Sequence, residues 1–188
     1  MKKSIGQSLI MAPMPVLIIG TYDDKGTPNA MNAAWGTQCD MDKITIFLSK
    51  HKTTDNLKLK KAFTVAFATK STLIESDYFG IETGAKLNKI EKVGFHASKA
   101  EHVDAPIFDE YPVTVECEMI DLCEDGGDYR LIGKVVNVVA DEAYLNEKGK
   151  VDLGKLELIS FDSAINAYRI VGEVVGKAFG DGLKIKAQ

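Results

Sequence analysis

The apolar positions of the chain recur mostly at the short spacing of strands, interrupted by brief helical stretches. Val16 to Asp23 is apolar and β-prone. Asp23-Asp24-Lys25-Gly26 then reads as a turn, in which Gly26 is free to take a positive φ. Asn29 to Cys39 returns as a second strand and completes a hairpin. Lys43 to Ser49 is a third strand, apolar on both faces. Thr53 or Thr54 can cap a short helix through Lys61, with Lys58, Lys60 and Lys61 at the end where the dipole favours cations. Ala62 to Ala68 is another strand. Thr72 and Glu75 form a capping box for a helix of one or two turns. Leu87, Ile90 and Val93 mark one face of a further short helix, stopped by Gly94.

Val113, Val115, Cys117 and Met119 alternate with Thr114, Glu116 and Glu118, which predicts a half-buried strand. A turn at Asp125-Gly126-Gly127-Asp128 leads into a strand from Tyr129 to Ala140. Sequential strands with short inserted helices favour a mainly-β, antiparallel barrel over a βαβ fold. The 188 residues contain no repeat, low-complexity tract or linker, so a single domain over 1–188 is expected. That length buries a core without metals or disulfides.

Charge and cysteine content narrow the function classes. The formal net charge is -4 and no basic run occurs, so the chain lacks the electrostatic footprint of a nucleic-acid binder. Met1 to Gly20 carries two lysines and then apolar residues, but Pro13 and Pro15 interrupt it and no clear small-residue cleavage site follows. No run approaches the roughly 20 apolar residues that span a bilayer. A first strand entering a core, no membrane association and a cytoplasmic location are the expectations. The three cysteines, Cys39, Cys117 and Cys123, are an odd count for a disulfide framework. On one strand, Cys117 and Cys123 would lie about 20 Å apart, beyond the reach of a bridge.

The common catalytic signatures are missing. No GxGxxG or GxSxG occurs, and Gly80 to Lys86 has the wrong spacing for a phosphate loop. His51, His96 and His102 show no metal-ligand spacing. Two clusters remain. Ser49, Lys50, His51, Lys52, Thr53 and Thr54 sit between a strand and a helix start, where free N–H groups, hydroxyls and lysines suit a phosphate; the same residues also suit a solvated, capped loop. In Asn29 to Thr37, small residues surround the only Trp, Trp35. A flat ligand could approach the backbone there, or Trp35 could simply pack in the core.

Taken together, the segments resemble the flavin reductase-like, FMN-binding split β-barrel family, flavoredoxin included. The resemblance rests on Ala12 to Val16, Asn29 to Trp35, Ser49 to Thr53, Gly84 to Lys89, Phe95 to Pro106, and Tyr168 to Gly182 in that order. It implies an antiparallel, Greek-key split barrel of about six strands and a homodimer with FMN at or near the subunit interface. By position, Asn32, Ala33, Ala34 and Trp35 would line the isoalloxazine and ribityl chain. Ser49, His51, Lys52, Thr53 and Thr54 would hold the phosphate. Lys89 would approach the flavin or its phosphate, with Tyr168 at the cofactor rim. Apart from this carry-over, His96 could sit at the flavin's open face and tune substrate access, or be simply a loop residue.

The resemblance further implies a cofactor-based oxidoreductase. NAD(P)H would pass hydride to the flavin N5, and electrons would go on to an acceptor that no motif specifies. Two rivals share the fold: a flavoredoxin-type electron carrier reduced by a protein partner, and a cofactor-free barrel acting as a binding module.

Overall fold

The computed structural model describes residues 1–8 and 10–186. Its strands are β1 (Met14–Pro15), β2 (Leu17–Tyr22), β3 (Pro28–Ala33), β4 (Gly36–Gln38), β5 (Lys43–Leu48), β6 (Ala62–Phe67), β7 (Ala97–Lys99), β8 (Pro106–Phe108), β9 (Val113–Asp125), β10 (Asp128–Ala140), β11 (Ile159–Asp162) and β12 (Ala167–Ile170). The helices are α1 (Lys52–Lys60), α2 (Leu73–Ile81), α3 (Lys89–Val93) and α4 (Leu183–Lys186).

Seven strands form one antiparallel sheet in the order β3-β2-β6-β9-β10-β5-β4. Its two edges, β3 and β4, are parts of one stretch of chain, residues 28–38. The sheet therefore curls until its ends meet at Ala34 and Trp35, where the Phe47 amide donates to the Trp35 carbonyl at 2.8 Å. The expected strand from Asn29 to Cys39 is thus two strands with a break between them. Counted as chain segments the barrel has six staves, in keeping with the expected split barrel.

The apolar residues sort onto the two faces of this sheet. Leu17, Ile19, Ile46, Leu48, Phe63, Val65, Cys117 and Leu131 fill the interior. The other face of the same strands, with Ile18, Ala30 and Ala66, is covered by Phe79 of α2, Ile90 of α3, and Phe108 and Tyr111. Strand β2 is apolar at consecutive positions because both of its faces are buried.

Three local expectations are corrected. The α1 N-cap is His51, with the Thr54 hydroxyl accepting from the His51 amide at 3.0 Å. Thr72 is the N-cap position of α2, as expected, but its side chain makes no cap bond there and no box forms with Glu75; the capping box lies one turn earlier, where the Thr69 amide donates to the Thr72 hydroxyl at 3.0 Å, and α2 is nine residues long. Strand β9 does not turn Thr114 and Glu116 to solvent; both are buried. The 100–105 segment packs over that face, and Glu116 accepts from the His102 amide and from Asn137 Nδ2, each at 2.8 Å. An alternating pattern reports which side chains are apolar, not what later chain covers the polar ones. Cys39, Cys117 and Cys123 are all free thiols, as expected, and burial pushes the Cys117 thiol up to about 12.

Candidate functional site

A cavity of 350 Å³ opens beside the seam of the barrel. Asn32, Ala33, Ala34 and Trp35 form one wall, and Ser49 and His51 stand at the head of α1. Asp77, Gly80 and Ile81 of α2 face them, with Phe161 and Tyr168 from the small β1-β11-β12 sheet at the rim. The structure therefore brings together seven of the residues singled out from sequence: Asn32, Ala33, Ala34, Trp35, Ser49, His51 and Tyr168.

Helix α1 is fixed by polar clamps rather than by a long apolar face. Asn29 Nδ2 donates to Thr53 Oγ1, and Asn56 Nδ2 to Thr21 Oγ1, both at 3.0 Å. Leu57 inserts into the barrel core. These contacts aim the N-terminus of α1 at the cavity; the amides of Thr54 and Asp55 already donate to the His51 carbonyl, which leaves those of Lys52 and Thr53 without intrahelical partners.

Thr53, Thr54, Lys52 and Lys89 lie outside the cavity lining. Thr53 and Thr54 are buried in the clamp and the cap. Lys52 Nζ meets Asp23 Oδ2 at 2.9 Å. Lys89 is buried, and its Nζ donates to the carbonyls of Phe79 and Glu82, each at 2.9 Å, closing the C-terminal end of α2. Burial pulls the Lys89 ammonium down to about 8, against the opposing pull of Glu82. His96 lines neither this cavity nor the larger groove described below; its side chain is 79% exposed and pairs with Glu110 at 2.8 Å.

Asp23 ties the first hairpin to α1. Its Oδ1 accepts from the amides of Lys25 and Thr27 at 3.0 and 2.8 Å, while Oδ2 takes Lys52. Burial alone would raise this carboxyl, but Lys52 and the two amides outweigh it and hold it at about 2. A depressed carboxyl contributes stability above its unfolded value and loses it as pH falls through the folded one. An Asp23→Asn protein is expected to be about 2 kcal/mol less stable at pH 7. The gap should close as pH drops from about 4 toward 2. Urea unfolding across that range checks this, and a gap independent of pH would contradict the assignment.

Sequence reasoning missed Asp77 and Gly80. Tyr168 Oη donates to Asp77 Oδ1 at 2.6 Å. Burial, then the bond to Asp77 and its charge, push the phenol up to about 12, with Asn32 acting in the opposite direction. The phenol therefore stays protonated at neutral pH and keeps donating to the carboxylate. At Gly80, an added Cβ would come within 3.3 Å of the Asn32 Cβ, so the bare backbone lets α2 sit against the wall. The small Gly80 near the end of a helix was the one visible signal; nothing in the spacing of Asp77 marked it.

A larger groove of 680 Å³ runs along β1, β4, β5 and β10. Its walls are mostly apolar, with Met14, Leu17, Met41, Ile44, Val135 and Val138 among them. The smaller cavity has the mixed character of a cofactor site: an apolar, small-residue wall with a few convergent polar groups.

Among the described residues, no helix is long and apolar enough to cross a membrane, and no group of three His, Cys, Asp or Glu could hold a metal. The chain is 33% identical to flavoredoxin of Desulfovibrio vulgaris (Miyazaki F), whose structure superposes with a TM-score of 0.92, covering 97% of this chain and all of that one. Flavoredoxin from Methanosarcina acetivorans is 26% identical, with a TM-score of 0.89 over 98% of this chain and 99% of its own. A protein of Archaeoglobus fulgidus described only as uncharacterised is 26% identical over 129 residues, 67% of this chain and 72% of that protein. The sequence profile described as "Flavin reductase like domain" matches residues 11–155, most of the chain. With the curled antiparallel barrel and its seam cavity, this establishes that the chain belongs to the flavin reductase-like family.

Proposed function

We propose that the chain is an FMN-binding oxidoreductase, working as a homodimer and drawing electrons from NAD(P)H. The observation that carries the flavin reading is one cavity in which a wall of small residues meets an anion-suited helix start. Ala33, Ala34 and Gly80 present almost no side chain, so a planar ring can lie close to the backbone. Ser49, His51 and the first-turn amides of α1 supply donors for a phosphate at the other end. Lys52, Thr53 and Thr54 serve that end by holding α1 in place, and Lys89 serves the ring side by fixing the end of α2.

Bound FMN would supply the redox chemistry, accepting a hydride equivalent at N5 and returning electrons to an acceptor. The chain's own part is positioning and electrostatics. The protonated Tyr168 holds Asp77 in one orientation at the rim. Trp35, 58% exposed at the mouth, offers a flat face to a planar donor such as a nicotinamide. No side chain need act as a nucleophile, which agrees with the missing catalytic signatures.

A second reading is an electron carrier reduced by a protein partner. The 33% identity to a flavoredoxin over nearly the full chain favours it. The two readings separate in one experiment: load the protein with FMN, confirm the visible absorbance, and add NADH or NADPH without oxygen. Rapid bleaching is the expected result. A yellow protein that ignores both nucleotides would move the donor to a protein partner. A protein that takes up no FMN would overturn both readings.

A further inference from the structure

Beyond Ile170 the chain leaves its own barrel. The Val171 amide still bonds the Leu158 carbonyl at 2.8 Å. Residues 172–176 then run without regular secondary structure, and among the described residues their backbone groups make no hydrogen bond within the chain. The later bonds of this arm close among residues 177–185. Yet the arm is not polar: Val174 is 92%, Val175 94% and Phe179 102% exposed. Exposed apolar side chains on a segment with an unpaired backbone are a poor solution for a chain alone in water.

The total surface gives the same message. The chain exposes 12009 Å² at a mass of 20.5 kDa. A compact monomer of that mass exposes roughly 8,900 Å². The excess, about 3,000 Å², is shared between this arm and the exposed residues ahead of β1, and a stable interface needs only ~800 Å² of it per partner. The 680 Å³ apolar groove adds a second uncovered surface, and Val171, at the root of the arm, stands on its rim.

We propose that residues 171–186 form an exchange arm that crosses to a second copy of this chain, where Val174, Val175 and Phe179 fill that copy's apolar groove. An arm rooted at the rim of one groove and filling the groove of the other is self-complementary, as a two-fold dimer requires. From Val171 to Lys177, ahead of the turn that carries Phe179, a fully stretched chain reaches about 20 Å, enough to pass from one barrel onto the next. This proposal rests on the two-copy reading above and specifies what joins the copies.

The test uses the full-length chain in analytical ultracentrifugation. The wild-type protein is expected to be a dimer. Combining Val174→Asp, Val175→Asp and Phe179→Asp should raise the dimer dissociation constant at least about 100-fold. These side chains touch little of their own barrel, so the circular dichroism and thermal midpoint of the monomer should be unchanged. Val138→Asp, on the groove side, should weaken the dimer in the same direction. A dimer indifferent to both changes would overturn the exchange arm while leaving the two-copy reading intact. A wild-type monomer at all concentrations would overturn both, including the case in which the arm folds back into its own groove. FMN uptake, read separately by absorbance, reports on the flavin reading alone.

Discussion

An Ala34→Trp protein is expected to fold normally and to bind FMN at least about 100-fold more weakly, a loss of roughly 2.7 kcal/mol or more. Ala34 lies at the break between β3 and β4, on the cavity wall. Its neighbours Ala33 and Met31 point into the barrel core, but Ala34 itself is only partly buried. An indole there projects into a space of 350 Å³ and removes the room a flat ring needs. Because the barrel interior is untouched, the thermal midpoint should move little. Flavin titration monitored by fluorescence quenching gives the affinity. An Ala34→Trp protein that binds FMN as the wild type does would place the cofactor elsewhere, and the apolar groove would become the next cavity to test.

Replacing Phe63 with alanine should produce the largest loss of stability, about 3–5 kcal/mol. Phe63 is fully buried in β6 at the centre of the barrel interior. Its ring lies against the bare backbone of Gly133 in β10, where a Cβ would overlap it. The pairing of β9 with β10 shifts register beside that glycine, so ring and irregularity fit each other. Truncating the ring leaves a cavity that rigid barrel strands on all sides cannot collapse into. Denaturant unfolding measures the effect; a loss below about 1 kcal/mol would mean that the barrel repacks around the gap.

Much of the barrel was legible because its strands carry continuous apolar runs or clean alternation. Leu17 to Ile19 and Ala62 to Ala66 announce themselves by composition alone. Strands β11 and β12 did not, since Ser160, Asp162 and Arg169 break any apolar period in segments only four residues long. The strand side of the cavity was legible for a chemical reason: small residues beside one Trp, then hydroxyls and a histidine before a helix. Its other side was not. Asp77, Gly80 and Phe161 reach the site only through packing of α2 and the small sheet against the barrel, and no local spacing encodes that.

Residue type was also a better guide than side-chain direction. Lys52, Thr53 and Thr54 have the groups an anion wants, and the family resemblance placed them at the phosphate. The helix geometry turns Thr53 toward Asn29 and Lys52 toward Asp23, leaving Ser49, His51 and backbone amides at the cavity. The Glu116 carboxylate illustrates the same limit: an alternating strand marks it as outward, and a segment beginning at Ala100 turns out to cover it.

The meeting of β3 and β4 at Ala34 and Trp35 makes the length of that connection unusually intolerant of change. Inserting or deleting one residue between Ala33 and Gly36 would displace two sheet edges at once, because a one-residue slip sends every side chain to the opposite face. The turns at Asp23 to Gly26 and Asp125 to Asp128 join single pairs of strands and can lengthen without such a penalty. Drift in loop length among descendants of this chain would therefore collect at the hairpin tips, while the two-residue joint beside the cavity stays fixed in length.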